Sequence, residues 1–271
     1  MKKDNIQLEL FCITNKRIKF LENSSYKLCW VGQEKAPDGY LKCDNKINIF
    51  SKEKYYSELT FQYWYWKNKL DLNNPNWIGF CQKRRFWSKT NQQTSDHTEK
   101  INDRILKAPK KEWENIEAII CDPISVNKIK KIKMIKRGFR SLIKNPLPFF
   151  FEKKQSIKFH FDMHHGYGNI DRAIGVLNVK DRSDFKEFIN DNYSFNPHIM
   201  FISKSYIMNK WFEDLFAWLF ECEKIFGFEV LKGYDTKRLY AYLAERYLSF
   251  WFKKYTKSLN WRWVFYENEN F

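Results

Sequence analysis

Three consecutive cations, Lys83, Arg84 and Arg85, end the short apolar run WIGFC (Trp77 to Cys81). An apolar strand that stops in clustered cations can set positive charge at a sheet edge, where α/β folds bind ligands. Arginine grips phosphate oxygens in bidentate fashion, so the chemistry to expect there is recognition of a phosphorylated anion. The same arginines can instead pair structurally with Glu58 or Glu245. A second cluster lies in FDMHHGYGNID, where Asp162, His164, His165 and Asp171 fall within one short segment. It reads as turn-rich, with Gly166 and Gly168 allowing close approach of a ligand. An Asp near its normal pKa, or a His near neutrality, can accept a proton from a hydroxyl. Asp162 and Asp171 lead these candidates. The ordinary alternative is loop polarity with one structural His.

The elements that must position these groups follow from hydrophobic pattern. Residues 6 to 14 and Leu28 to Gly32 read as strands, APDGY (Ala36 to Tyr40) as a turn, and Trp77 to Cys81 as a strand. Residues 52 to 69 predict one helix, with Leu59, Tyr63, Trp66 and Leu70 at helical spacing. Phe61, Trp64 and Tyr65 decorate its other sides, so protein should cover it on more than one face. Residues 88 to 115 are polar and predict a surface excursion. Ala118 to Pro123 and Phe195 to Tyr206 read as strands. A helix is expected from about Lys210 to Phe226 with Asn209 as its N-cap. Asp235 is expected to cap a last helix carrying Leu239, Leu243, Tyr247 and Phe250. Strand, strand, helix, strand points to a mixed or parallel α/β sheet.

Between these parts, residues 128 to 144 place Ile129, Ile132, Ile135, Phe139 and Leu142 at near-helical spacing among lysines and arginines. Such a basic amphipathic segment, within about 124 to 150, can lie on an anionic membrane. It can also be a surface helix with a solvated cationic face.

Composition bounds the function classes. The 271 residues carry 48 Lys+Arg against 32 Asp+Glu, a net +16, so an anionic partner is expected: nucleic acid, an anionic membrane or a phosphorylated ligand. The ordinary alternative is that a Lys, Asn and Ile bias from genome base composition explains most of the excess lysine, though not where the arginines sit. With 44% hydrophobic and 19% aromatic residues, a large core forms and global disorder is excluded. Six cysteines, none in a CxxC pair, read as small buried hydrophobes in a reducing compartment rather than zinc ligands. No apolar stretch reaches the length of a spanning helix and the first residues lack a secretory h-region, so a cytoplasmic location is expected, peripheral to a membrane at most.

The residues also carry a resemblance. YSELTFQYWYWKN followed by WIGFCQKRRFW resembles the paired "CELT…YWxWKN" and "GLxHYRRYF" signatures of a family from capsule and O-antigen clusters, long a domain of unknown function. ELFCITNK, CDNKINIFSK, NPHIMFISK and LAERYLSFW resemble its other conserved stretches in the same order. Its characterised members are GT-A-like glycosyltransferases, notably galactofuranosyltransferases using UDP-galactofuranose. The family's His is Gln82 here, its Tyr is Lys83, and a His after the first strand is Asn15.

The resemblance implies an α/β fold: a GT-A-like single domain over residues 1–271, with a mixed, mostly parallel sheet flanked by helices and a helical C-terminal part. It implies a glycosyltransferase that moves galactofuranose, with inversion, from a nucleotide sugar to a glycan or lipid-linked acceptor in surface polysaccharide synthesis. Thr14, Asn15, Asp44, Asn48 and Glu58 are expected to contact the donor, and Trp66 and Glu245 the acceptor. The chain has no Asp-x-Asp metal motif. Arg84 and Arg85, with Arg246, are therefore expected to replace the charge of manganese or magnesium at the diphosphate, so that no cofactor is required. Two other readings compete. One is a nucleic-acid-binding protein, weakened because the cations and aromatics do not interleave in a recognised module. The other is an inactive scaffold of glycosyltransferase type.

Overall fold

The computed structural model describes residues 6–92, 100–127 and 130–267, apart from the side chains of Lys153 and Tyr234. The strands are β1 (Leu8–Thr14), β2 (Lys27–Trp30), β3 (Leu41–Lys42), β4 (Trp77–Gln82), β5 (Arg85–Trp87), β6 (Ala118–Cys121), β7 (Ile124–Ser125), β8 (Ser194–Phe195), β9 (Phe201–Ser203), β10 (Ser258–Trp261) and β11 (Trp263–Phe265). The helices are α1 (Glu53–Tyr56), α2 (Leu59–Asn68), α3 (Ile101–Arg104), α4 (Lys131–Lys144), α5 (Leu147–Phe150), α6 (Ile157–His165), α7 (Asn169–Gly175), α8 (Val179–Asp191), α9 (Ser205–Phe226), α10 (Tyr234–Lys237) and α11 (Leu239–Tyr255).

One mixed sheet organises the chain in the order β10-β6-β9-β4-β1-β2-β3, with β5 and β11 attached beyond the end of β4. Strands β3, β2, β1 and β4 run parallel, and β9 runs against β4 and β6. The whole of β4 is buried, which explains its continuous apolar run: a central parallel strand is covered on both faces. Gly79 is required there, since a Cβ would lie 2.5 Å from Ile202 Cγ1.

Both faces of the sheet are covered. On one side α2 lays Phe61 and Tyr65 against Phe11 and Phe80, while Tyr63 and Trp66 turn to Phe216 on α9. The aromatic crowding of this helix is thus two-sided packing, as its pattern implied. The other side is closed by Ile105, Leu106 and Trp113, the last standing edge-on to Trp77 and Trp261. The stretch after β5 is therefore no mere surface excursion. Its apolar residues are too widely spaced for a periodic signal, yet they seal half the core; residues 93–99 lie outside the described residues. All six cysteines are buried thiols.

Other boundaries also move. The helix expected over 52–69 breaks at Ser57, whose φ of 53° no helix accepts. The segment around Asp162 is helix α6 rather than a turn, begun by Ser156 accepting from the Phe159 N–H. The strand expected over 195–206 shrinks to Phe201–Ser203, because His198 takes a left-handed φ of 64°. Helix α9 starts a turn earlier than expected, so Asn209 lies inside it and accepts from Trp66 Nε1 at 2.8 Å. Asp235 sits in the first turn of α10 and does not cap α11. Ile129 lies outside the described residues. Among those residues no helix is long and apolar enough to cross a membrane.

Candidate active site

Parallel strands β1 and β4 end on one edge of the sheet, and antiparallel β9 begins there. That edge opens into a cleft of about 500 Å³. Its floor is Gln82 through Arg85 from the turn after β4, with His198 and Ile199 leading into β9. One wall is Ser57 and Glu58, where α2 starts; the other is Arg238, Ala241, Tyr242 and Glu245. The four wall residues follow an i, i+3, i+4, i+7 spacing, which sets them on one helical face.

Charge dominates the lining: Lys83, Arg84, Arg85 and Arg238 face two carboxylates, Glu58 and Glu245. Lys83 Nζ donates to Asn15 Oδ1 at 2.6 Å, joining the ends of β4 and β1. Burial lowers the Lys83 pKa, and the neighbouring Arg84 and Lys16 add to this. Arg84 reaches the exposed Glu267 at 2.8 Å, and its buried Nε has no hydrogen-bond partner among the described residues. Within the described residues the Glu58 carboxylate makes no hydrogen bond or ion pair. Just behind it, burial raises the Glu53 carboxyl, opposed by the charge of Arg238.

Glu245 is held from both sides. Its Oε1 accepts from the His198 N–H at 2.5 Å, and its Oε2 takes a short bond from Arg246 Nη1. Arg246 is only 1% exposed and lies with its guanidinium 3.8 Å from the Phe195 ring centre. The His198 ring stands edge-on to Trp263, and burial, aided by Arg85, drives its pKa down to about 3. It is therefore a neutral imidazole. Among the described residues Ser57 and His198 are two of four non-glycine residues with positive φ, and both line this cleft. Backbone strain of this kind collects where a site dictates chain direction.

The expected site residues divide in space. Glu58, Arg84, Arg85 and Glu245 meet in the cleft, with Asn15 at its rim. Thr14 caps the end of β1, its Oγ1 accepting from the Lys16 N–H at 2.9 Å. Asp44 lines a smaller cavity of about 220 Å³ beside Trp30 and Lys42. Asn48 shapes the adjoining turn, accepting from the Phe50 N–H at 3.0 Å. Arg246 sits beneath the cleft, behind Glu245. Trp66 lies outside it, stacked on Phe216. Asp162 and Asp171 share Lys158 at 2.9 and 2.5 Å, and Asp162 also accepts from the Gly168 N–H, so this pair ties α6 to α7. His164 contacts Arg137, and His165 stacks on Tyr242, one layer behind the cleft wall. His198 lies in the family-like stretch NPHIMFISK but was not among the expected site residues, and Arg238 had no motif signal of its own. For Arg238 the helical spacing to Glu245 was the clue available.

The sheet order and its flanking helices define a GT-A-like α/β fold. Over 96% of the chain it superimposes on the solved apo structure of the WbbM bifunctional glycosyltransferase, with a TM-score of 0.71 at 19% identity. The chain spans 45% of that protein. A family model described as a domain of unknown function, DUF4422, matches residues 9–257, and the chain belongs to that family. No curated protein matches it.

Proposed function

We propose that the chain is a glycosyltransferase whose cleft binds the diphosphate of a nucleotide sugar. The observation that carries this reading is the convergence of Lys83, Arg84, Arg85 and Arg238 at the carboxyl edge of β1 and β4. Preorganised cations there stabilise charge that grows as a diphosphate departs. They take the place of manganese or magnesium in this reading. Glu58 faces the same space and serves as the base: it takes the acceptor hydroxyl proton as that oxygen bonds the anomeric carbon. The bond from the anomeric carbon to the diphosphate oxygen breaks, its electron pair leaving with the nucleotide, and configuration inverts. Asn15 and the Asp44–Asn48 loop are assigned to the base and ribose. UDP-galactofuranose as donor, and a glycan or lipid-linked acceptor of surface polysaccharide, follow from the family signatures.

Thermal shift against UDP, UDP-galactofuranose, UDP-galactopyranose and GDP-, CMP- and dTDP-sugars, with and without manganese, tests this. A ligand that binds the folded state alone raises the melting temperature. A shift with UDP species without metal is expected, weakened about tenfold or more in affinity by Arg84→Ala, since hydrogen bonds to charged groups contribute about 1.5–3 kcal/mol. The parent stability should hold, because the partner of Arg84 is the exposed Glu267. A shift that needs manganese refutes the cation assignment. No shift with any nucleotide, beside a large one with oligonucleotides, refutes the transferase.

A further inference from the structure

Helix α4 presents an apolar face to solvent. Ile132, Ile135, Phe139 and Ile143 recur along one side, and Leu147 and Phe150 of α5 continue the patch; these side chains are 48–69% exposed. The face toward the protein is a different one. Met134, Gly138 and Ser141 are buried, and a Cβ on Gly138 would come within 3.0 Å of Met163 on α6. Core packing therefore leaves the isoleucine and phenylalanine stripe uncovered. From residue 123 to 151 the sequence holds eight Lys or Arg and no acidic residue. Lys133, Lys136, Arg137, Arg140 and Lys144 are exposed beside the stripe.

We infer that α4 and α5 form a docking surface for an anionic lipid bilayer. An apolar stripe flanked by lysine and arginine is the pattern of a helix lying in the membrane interface, where side chains enter the acyl boundary and cations meet headgroups. A second copy of this chain is disfavoured as occupant, because it would bring the same cations face to face. The surface is tied to the cleft. Arg137 pairs with Asp235 at 3.3 Å and contacts His164 at 3.0 Å, and Asp235 belongs to α10, which leads into Arg238. Docking thus holds the cleft beside the bilayer. Its purpose, delivery of a lipid-linked acceptor, rests on the transferase reading, whereas the binding itself does not.

Sedimentation with phosphatidylcholine vesicles, with and without phosphatidylglycerol, tests the inference on the full chain. Retention on anionic vesicles is expected, falling with salt and about tenfold weaker on neutral ones. The triple variant Ile135→Ser, Phe139→Ser, Ile143→Ser should lose on the order of a hundredfold in vesicle affinity. Its nucleotide thermal shift should be unchanged, which separates failure of this inference from failure of the transferase reading. Absence of binding to anionic vesicles overturns it, as does equal binding by the variant. A parent dimer that the variant converts to monomer, with no vesicle binding, assigns the face to a second copy instead.

Discussion

Mild acid should destabilise this protein through its histidines. His165 is buried and His160 and His198 are half-buried, and burial is the largest reason that each has a pKa below the ordinary 6.5. Arg246 lowers the first two further, and Arg85 lowers His198, which falls to about 3. In the unfolded chain each titrates near its ordinary value. Below that value the unfolded state therefore binds protons that the folded state refuses, and stability drops as pH falls. Between about pH 7 and 5.5 each imidazole that stays neutral in the folded state gives up on the order of 1 kcal/mol. His164, lowered by burial and Arg137, adds in the same direction. Asp162 and Glu53, raised by burial, bind protons in the folded state and offset a part. The assay is urea unfolding at stepped pH, followed by tryptophan fluorescence. A fall in unfolding free energy on the order of a few kcal/mol over this interval is expected. A change below about 1 kcal/mol would show that these rings are solvated or already protonated, and would refute the buried-imidazole account.

Two substitutions separate the roles of the acids. Glu245→Ala strands the buried Arg246 guanidinium and frees the His198 N–H, so a loss of about 3–5 kcal/mol, near 10 °C in Tm, is expected by differential scanning fluorimetry. Melting within about 2 °C of the parent would mean that this pair does not hold the cleft wall. Glu58→Gln keeps the shape of a group that pairs with nothing among the described residues. It should leave Tm and UDP affinity intact while lowering turnover about a hundredfold or more, the usual scale for losing a general base. Unchanged turnover would return the base to the Asp162–Asp171 region.

The local elements were legible because they depend on near neighbours. The apolar run of β4, the aromatic density of α2, the stripe of α11 and the buried cysteines all follow from which residues sit within a turn or two of one another. The cation run at Lys83 to Arg85 and its place at a strand end were legible for the same reason. So were the family signatures, which the match over residues 9–257 places in one known family.

The rest depended on partners distant in sequence. His198 takes its left-handed conformation with its N–H on the carboxylate of Glu245, 47 residues away, a contact that no local pattern shows. Lys158 pairs with both Asp162 and Asp171, contacts that a reading of titratable groups alone does not show. The periodic stripe of α4 announced an amphipathic helix, but periodicity does not say which face a helix buries. Packing of Gly138 against Met163 decided that, and left the isoleucines outside. Sequence fixes what each residue can do within reach of its neighbours. Only the folded chain decides which of those capacities are spent on holding the structure and which stay open to a ligand.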